Sequence, residues 1–239
     1  MKHIVGLSGG KDSSCLALAL AEKEPRDYEY VYTPTGNELP ELKAHLERME
    51  CLLEKPIKSL YEKSLLDLCR DMQMLPNFRA RWCTRILKIE PTIAYVASLP
   101  PGSTLYVGLR ADEEERRGIY GEDIAIRFPL REWGWGLQDV WKFLQQREIK
   151  IPRRTDCGLC FYQRIGEWWN LWKDHPAQFA EGIAIEKELG HTFRTPGKDT
   201  WPTTLEDMGA EFKRGRIPQG AAVNAELFDD YQECRVCSL

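Results

Sequence analysis

The chain has 239 residues, with 33 lysines and arginines against 37 aspartates and glutamates, which gives a formal net charge of −4. An apolar share of 43% and a charged share of 29% are typical of a globular protein and exclude a disordered or collagen-like chain. The mild acidity provides no overall attraction for nucleic acid, so such a partner needs a local basic patch. No apolar run is long enough for a membrane span, and the N-terminus becomes glycine-rich too early for a signal peptide, so we expect a cytoplasmic protein.

The first two thirds of the sequence alternate strand patterns with helix patterns. Strands are predicted at residues 3–7, 28–32, 104–109 and 124–130. Helices are predicted at residues 13–24, 40–49, 58–72, 86–98 with an interruption near Pro91, and 137–147. This alternation predicts an α/β fold built on a doubly wound, mainly parallel sheet.

The composition changes after Pro152. Residues 153–239 contain two C-x-x-C pairs, four of the eight tryptophans and few strand-like runs. We therefore predict two domains, residues 1–152 and a helical, cysteine- and tryptophan-rich appendage at residues 153–239. Trp168 and Trp172 share a helix face with Ile165, which indicates a core stripe, with base stacking as the alternative.

A glycine-rich segment lies between the first predicted strand and the first predicted helix. It consists of Ser8, Gly9, Gly10, Lys11, Asp12 and Ser13. Backbone N–H groups at such a helix start converge on one point suited to an anion, and the lysine adds a mobile charge. The segment is not a Walker A loop, because Asp12 stands where that motif has serine or threonine. An ordinary glycine turn is the alternative.

At these residues the sequence resembles the PP-loop ATP pyrophosphatase superfamily, whose loop grips the pyrophosphate of ATP while AMP is transferred to a substrate oxygen. Further segments resemble the phosphoadenosine-phosphosulfate (PAPS) reductase family, in the family's order. They are residues 35–41, residues 81–84 with Lys88 and Pro91, residues 108–110 followed by Arg116, residues 128–130 with Trp133, and residues 139–141.

The resemblance implies an adenine nucleotide alpha hydrolase-like fold in residues 1–152. An adenine nucleotide would lie at the carboxyl ends of the strands. Besides the loop, the implied nucleotide-binding residues are Thr35, Gly36, Glu38, Gly108 and Arg110. Lys11, Asp12 and Arg110 would act in catalysis, with Mg²⁺ bridging the phosphates of ATP.

Basic residues surround Cys83. Arg81, Arg85 and Lys88 would share one face of an α-helix, where they could bind the phosphate or sulfate of a substrate, and we add Arg116 to this substrate-binding set. A solvated helix surface is the alternative for the three.

Two C-x-x-C pairs, Cys157 with Cys160 and Cys234 with Cys237, supply four thiols that suit a tetrahedral zinc ion or an iron–sulfur cluster. Similarity to iron–sulfur sulfonucleotide reductases implies Cys83, Cys157 and Cys160 as ligands of a [4Fe–4S] cluster, completed by Cys234 or Cys237. A fourth iron left open for exogenous sulfide, as in related tRNA thiolases, is the alternative to the C-terminal ligand. Structural zinc and a free redox pair are the alternatives. Cys234, beside Arg235, is also a candidate catalytic sulfur carrier.

The remaining cysteines need no metal. Cys15 and Cys69 fall on predicted helices and Cys51 just past one. We expect all three to be buried as small apolar residues.

The complete loop favours cleavage of ATP, because reductases of this family usually carry a degraded loop without the Lys-Asp pair. The first hypothesis is therefore an ATP-dependent adenylating enzyme of sulfur metabolism, similar to the branch that includes the DNA phosphorothioation component and tRNA thiolases. A nucleic acid or small molecule would accept the sulfur, and a cysteine desulfurase or a thioredoxin-like protein would donate sulfur or electrons. The alternatives are a thiol-dependent adenylyl-sulfate or PAPS reductase, and a non-catalytic nucleotide- or nucleic-acid-binding subunit with structural zinc.

Overall fold

The structure is a computed structural model that describes residues 1–113, 115, 125–197, 199–219 and 221. Its sheet has five strands: β1 (His3–Gly6), β2 (Tyr28–Tyr32), β3 (Ile57–Ser59), β4 (Thr104–Tyr106) and β5 (Ala125–Arg127). They lie in the order β3-β2-β1-β4-β5, and every neighbouring pair is parallel. The predicted doubly wound parallel sheet is confirmed, and the strand order reverses direction between β1 and β4.

Helices cover the sheet and form the C-terminal region. They are α1 (Lys11–Lys23), α2 (Pro40–Leu53), α3 (Leu65–Met72), α4 (Trp82–Thr84), α5 (Glu90–Ala97), α6 (Pro129–Glu132), α7 (Leu137–Gln146), α8 (Ile165–Asp174), α9 (Pro176–Leu189) and α10 (Leu205–Lys213). A π-helical turn, Arg85–Ile89, joins α4 to α5. No helix in these described segments is long and apolar enough to cross a membrane.

Two apolar clusters fill the larger part of the interior. In the first, α1 and α7 pack with the sheet around Leu16, Leu20 and Val140. In the second, the C-terminal helices pack against α3 and the segment around Trp82. Trp168 is fully buried in this second cluster, and Ile165 and Trp172, which are partly buried, pack against it, so this face of α8 belongs to the core.

The prediction of one helix over residues 58–72 is wrong in its first half. Residues Ile57–Ser59 form β3 and pair with β2, and the helix begins only at Leu65. The side chain of Ser64 accepts a hydrogen bond from the backbone N–H of Asp67, which fixes the start of α3.

Further boundaries differ from the prediction. The strand predicted at residues 104–109 ends at Tyr106, the helix predicted at residues 40–49 continues to Leu53, and α1 begins at Lys11 rather than at residue 13. The last predicted strand ends at Arg127, and Pro129 opens α6, because proline at a first helical position lacks only an N–H that the helix does not use. The predicted interruption near Pro91 takes the form of the π-helical turn. Cys15 and Cys69 are buried as expected, but Cys51 is exposed, because α2 buries a face that contains Leu42 and Met49 instead.

Candidate functional site

The loops after β1, β2 and β4 meet at the carboxyl edge of the sheet. The glycine-rich segment 8–13 spans the loop after β1 and the first three residues of α1. The loop after β4 carries Gly108 and Arg110, and the loop after β2 carries Thr35, Gly36 and Glu38. Parallel sheets bind ligands at the edge where the strand order reverses. The predicted nucleotide-binding residues therefore follow the strands that frame this position.

The glycine-rich loop turns sharply and opens α1. Gly9 has a φ of +78°, a conformation that L side chains rarely adopt, and a Cβ there would clash with the Leu42 side chain, so a larger residue would strain the turn. Gly10 is the N-cap of α1 and provides no side-chain cap for the first-turn N–H groups. The hydroxyls of Ser8 and Ser13 lie 3.0 Å apart, and Ser13 Oγ also donates to Gly10 O. The helix start is thus left open to an anion.

Asp12 holds two cations at the first turn of α1. Its Oδ2 lies 3.3 Å from Lys11 Nζ and 2.9 Å from Arg110 Nη1. Its other oxygen, Oδ1, is buried and has no hydrogen-bond partner among the described residues. One carboxylate oxygen of Asp12 therefore binds both cations, and the other oxygen is available to a further ligand.

Arg110 is held in place by several groups. Only 2% of the residue is exposed, its Nε donates to Asp112 Oδ1, and Asp112 Oδ2 accepts from Leu137 N at the start of α7. Burial lowers the pKa of Arg110, but Asp12 and Glu113 raise it by more, so the guanidinium stays charged. The arginine is a fixed positive charge beside the loop.

The loop after β2 is organised by Glu38. Its Oε1 accepts hydrogen bonds from Thr35 N at 2.5 Å and Thr35 Oγ1 at 2.6 Å. Burial, followed by the nearby Glu38 carboxylate, raises the pKa of Tyr32, so this tyrosine stays protonated. Thr35 and Glu38 are almost fully buried, and the hydrogen bonds between them fix the conformation of the loop after β2.

The first C-x-x-C turn docks on this loop through Asn37, a residue that the sequence analysis missed. Asn37 O accepts from Gly158 N at 2.6 Å, and Asn37 Oδ1 accepts from Leu159 N at 3.0 Å. Glu38 and Cys157 form an isolated antiparallel bridge. Thr155 lies over the glycine-rich loop, because its Oγ1 is 3.4 Å from the position of a Cβ on Gly10. The turn that contains Cys157 and Cys160, which we call the cysteine turn, therefore lies beside the glycine-rich loop, which we also call the nucleotide loop.

Arg154 supports the same turn from inside. The guanidinium donates to Asp156 and to Cys157 O, and its Nη1 donates to Gln163 Oε1 at 2.8 Å. Gln163 in turn donates to Gly158 O. The sequence gave no signal of this role for Arg154, because the role depends on carbonyl groups that only the folded turn presents.

The predicted cysteine ligands Cys83, Cys157 and Cys160 lie in one region. A hydrogen bond with Cys157 and burial raise the pKa of Cys160, and burial with the neighbouring Cys160 thiol raises the pKa of Cys83. Burial, with Cys83 nearby, also raises the pKa of Cys69 to about 12. In the described part of the chain, however, no group of three or more His, Cys, Asp or Glu residues is arranged to hold a metal ion.

The three predicted basic residues near Cys83 do not share an α-helical face. Arg81 precedes α4 and its guanidinium lies 5.1 Å from the ring centroid of Tyr162. Arg85 begins the π-helical turn, is exposed and pairs with Glu90 at 2.9 Å. Lys88 lies near Cys83, and its charge opposes part of the rise that burial and Cys160 cause in the pKa of that thiol. The wider π-helical turn changes the spacing on which the prediction depended.

Three predicted site residues, Arg116, Cys234 and Cys237, lie outside the described residues.

A family model for the phosphoadenosine phosphosulfate reductase domain matches residues 2–171. An uncharacterized protein of Methanocaldococcus jannaschii is 22% identical over 204 residues, which cover 74% of this chain and 42% of that protein. The chain thus spans less than half the length of this curated relative. The crystal structure of PAPS reductase from Candida auris in a phosphate complex aligns with a TM-score of 0.48 and 12% identity, covering 63% of this chain and 75% of that chain.

Proposed function

The chain belongs to the phosphoadenosine phosphosulfate reductase domain family, and from this membership we propose that it is an ATP-dependent adenylating enzyme of sulfur metabolism. The observation that carries the proposal is the glycine-rich loop with both its lysine and its aspartate. Lys11 and Arg110, from the loop after β4, both contact the Asp12 carboxylate at the uncapped start of α1. A reductase acts on a nucleotide that is already made and has no leaving pyrophosphate to hold. Two fixed cations at a helix N-terminus suit such a leaving group.

The described residues fit ATP with Mg²⁺. The first-turn N–H groups of α1 and the two cations would hold the β- and γ-phosphates, and the partnerless Oδ1 of Asp12 is the kind of oxygen that Mg²⁺ prefers. When bound, Mg²⁺ would neutralise part of the phosphate charge. Lys11 is 8% exposed, so its charge acts with little screening by water.

The reaction we propose has three displacements. An oxygen of the acceptor attacks the α-phosphorus of ATP, the bond from that phosphorus to the bridging oxygen breaks, and pyrophosphate leaves with the new negative charge. Lys11 and Arg110 stabilise that charge. The outer sulfur of a persulfide then attacks the acceptor atom that carries the adenylated oxygen, the bond from that atom to the oxygen breaks, and AMP leaves. A thiol then attacks the donor's sulfur in the resulting disulfide, which leaves the transferred sulfur on the acceptor and joins the thiol to the donor in a new disulfide. A nucleic acid or a small molecule would serve as acceptor, and a cysteine desulfurase would supply the sulfur.

A [4Fe–4S] cluster stays a prediction. The thiols of Cys83 and Cys160 are neighbours, and the backbone at Cys157 pairs with Glu38 in the loop after β2, but the described residues by themselves do not form a three-ligand site. No step of the proposed reaction is therefore assigned to a cluster. Zinc bound by the same thiols is the alternative cofactor.

The test is exchange of labelled pyrophosphate into ATP in the presence of candidate acceptors, namely tRNA, DNA, sulfate and small thiols. Lys11→Ala should lower the exchange on the order of 100-fold or more, because it removes a charge that stabilises the leaving group. Lys11→Met keeps the length and burial of the stem and should lose exchange equally. Lys43→Ala removes an exposed lysine of α2 and should exchange normally. If a folded Lys11→Met protein exchanged pyrophosphate at the full rate, the glycine-rich loop would have no part in the reaction.

Reduction of adenylyl sulfate or PAPS is the second candidate, favoured by the C-x-x-C pair Cys157 and Cys160, which one turn holds together through a hydrogen bond from Cys160 N to Cys157 O at 3.2 Å. Oxidation of such a dithiol to a disulfide releases two electrons, which would reduce the sulfonucleotide's sulfur to sulfite and free the nucleotide. Sulfite release in the presence of thioredoxin distinguishes the two candidates. Sulfite formed without ATP would favour the reductase.

A further inference from the structure

A hydroxyl group from the C-terminal region lies beside the nucleotide loop. Thr155 Oγ1 is 3.4 Å from the position of a Cβ on Gly10, and Ser8 Oγ is 3.6 Å from the same position. Ser8 Oγ also lies 3.0 Å from Ser13 Oγ. Three hydroxyl groups therefore lie close to the residue that precedes α1, and one of them comes from a residue far away in the sequence.

The Thr155 hydroxyl is available to a ligand. Thr155 is partly exposed, and within the described residues no hydrogen bond uses its hydroxyl. Ser13 Oγ, in contrast, already donates to Gly10 O. Because Gly10 has no side chain, nothing on this residue separates the Thr155 hydroxyl from the first-turn N–H groups of α1. An anion bound at the helix start thus lies within reach of both kinds of donor.

The backbone at Thr155 is fixed by the residues on either side of it. Arg154 Nε and Nη2 donate to the two carboxylate oxygens of Asp156, at 3.1 and 3.2 Å. Only 7% of the Arg154 side chain is exposed, so water screens this ion pair little. The pair also neutralises the Asp156 carboxylate, which would otherwise repel a phosphate held by its neighbour. Thr155 is therefore held in place without adding a negative charge to the site.

The same segment leads directly into the cysteine turn. Arg154 Nη2 also donates to Cys157 O at 3.0 Å, and Gly158 N donates to Asn37 O in the loop after β2. Thr155 is two residues from Cys157, inside this hydrogen-bonded run. A ligand that binds both Thr155 and the start of α1 would therefore also hold the cysteine turn beside the nucleotide loop.

We propose that Thr155 is a phosphate-binding residue, whose hydroxyl donates a hydrogen bond to the β- or γ-phosphate of ATP and so fastens the cysteine turn over the nucleotide loop. The inference rests on the proposed function, in which the start of α1 holds these two phosphates. A hydrogen bond to a charged oxygen is stronger than one between neutral groups, so a single hydroxyl has a measurable effect. The cysteine turn is then held most firmly while ATP or pyrophosphate is bound, and it is released when pyrophosphate leaves.

The experiment is calorimetric titration of the full chain, in the presence of Mg²⁺, with ATP, inorganic pyrophosphate and AMP in turn. Thr155→Val keeps the shape of the side chain without the hydroxyl, so it should weaken ATP and pyrophosphate binding on the order of tenfold and leave AMP binding unchanged. Thr155→Ser keeps the hydroxyl and should bind all three as the unaltered chain does. Thr195→Val makes the same change at an exposed position between α9 and α10 and should also bind normally.

Alkylation of Cys157 by iodoacetamide measures the fastening of the cysteine turn without any catalysis. Saturating ATP with Mg²⁺ should slow this reaction several-fold in the unaltered chain and in Thr155→Ser, with the exposed thiol of Cys51 as the reference. Thr155→Val, saturated at a higher ATP concentration, should be protected less. Equal protection of Thr155→Val would show that the nucleotide shields Cys157 without the hydroxyl and would overturn the fastening.

Three binding results would overturn the phosphate contact. They are equal pyrophosphate affinities for Thr155→Val and the unaltered chain, an equal loss of AMP affinity in Thr155→Val, and a Thr155→Ser protein that binds pyrophosphate as weakly as Thr155→Val. The second result would place the hydroxyl away from the leaving phosphates, and the third would assign the effect to the shape of the side chain.

Pyrophosphate exchange separates this proposal from the proposed function. If Lys11→Met loses exchange while Thr155→Val binds pyrophosphate normally, the adenylating reaction stands and the Thr155 contact fails. If Thr155→Val binds pyrophosphate weakly but the unaltered chain supports no exchange with any acceptor, the contact is supported and the adenylating reaction fails. An unaltered chain that binds neither ATP nor pyrophosphate would overturn both.

Discussion

The absence of a side chain at Gly108 lets the loop after β4 approach the start of α1. A Cβ on Gly108 would lie 3.1 Å from the carbonyl carbon and from the oxygen of Asp12, and 3.2 Å from Ser13 N. All three atoms belong to the backbone, so no flexible side chain can move aside. Gly108→Ala should displace the loop, weaken ATP binding on the order of tenfold and lower the free energy of unfolding by about 1–3 kcal/mol. Calorimetric titration and urea unfolding measure the two effects.

Gly6→Ala is the matched control for Gly108→Ala. It adds the same methyl group to β1, where the nearest neighbour, Tyr106 O, is 3.8 Å away at ordinary contact distance. This variant should bind ATP normally. Equal ATP affinities for Gly6→Ala and Gly108→Ala would show that the close approach does not shape the nucleotide loop.

At the scale of elements, strands and helix starts with a local residue pattern could be predicted from the sequence, whereas an element that forms only through pairing with another strand could not. The segment 28–32 has the strand pattern and forms β2 at the predicted bounds. The start of α3 also had a signal, because Ser64 stands three residues before Asp67 in the pattern of a helix cap. The three residues of β3 form a strand only through their pairing with β2, which the sequence does not display. The π-helical turn likewise depends on a bond from Glu90 N to Arg85 O.

A buried carboxyl group joins α9 to α10. Glu186 Oε1 accepts from Phe193 N at 2.9 Å, and its Oε2 accepts from Leu205 N at 2.7 Å. Burial nevertheless raises the pKa of Glu186 from 4.5 to about 7. The folded chain therefore keeps a proton that the unfolded chain releases between these two values. Because the folded state binds more protons in that window, stability falls as the pH rises through it.

This linkage predicts a loss of about 3 kcal/mol of unfolding free energy between pH 4.5 and pH 7 from Glu186 alone. Glu186→Gln cannot titrate, so its unfolding free energy should decline less over the same range, although it starts lower because one buried N–H loses its acceptor. Urea unfolding at several pH values measures both profiles. Glu188→Gln removes an exposed carboxylate of α9 and should keep the steeper profile of the unaltered chain. Parallel profiles for Glu186→Gln and the unaltered chain would contradict the linkage.

At the scale of the whole molecule, the candidate site joins segments that are far apart in the sequence. The glycine-rich loop was predictable because its six residues are contiguous and their chemistry is local. Asn37, Arg154 and Thr155 were not, because their roles arise where residues 154–159 cross the loops after β1 and β2. Leu159 is fully buried, so its N–H depends on the Asn37 side chain for a partner.

Asn37→Ala tests this docking. The variant leaves Leu159 N without an acceptor, which should lower the free energy of unfolding by about 1–3 kcal/mol and open the cysteine turn more often. Iodoacetamide should then alkylate Cys157 several times faster than in the unaltered chain, as measured by peptide mass spectrometry. The exposed thiol of Cys51 is the internal reference and should react at an unchanged rate.

Gln178→Ala provides the comparison for Asn37→Ala. Gln178 Nε2 donates to Glu38 O at 3.1 Å in a partly buried position, so water can replace that bond more readily than the bond to Leu159 N. Its removal should accelerate Cys157 alkylation less than Asn37→Ala does. If Cys157 reacts at the same rate in the unaltered chain and in Asn37→Ala, then Asn37 does not hold the turn of Cys157 and Cys160 against the loop after β2. The asparagine then does not connect the cysteines to the nucleotide-binding residues.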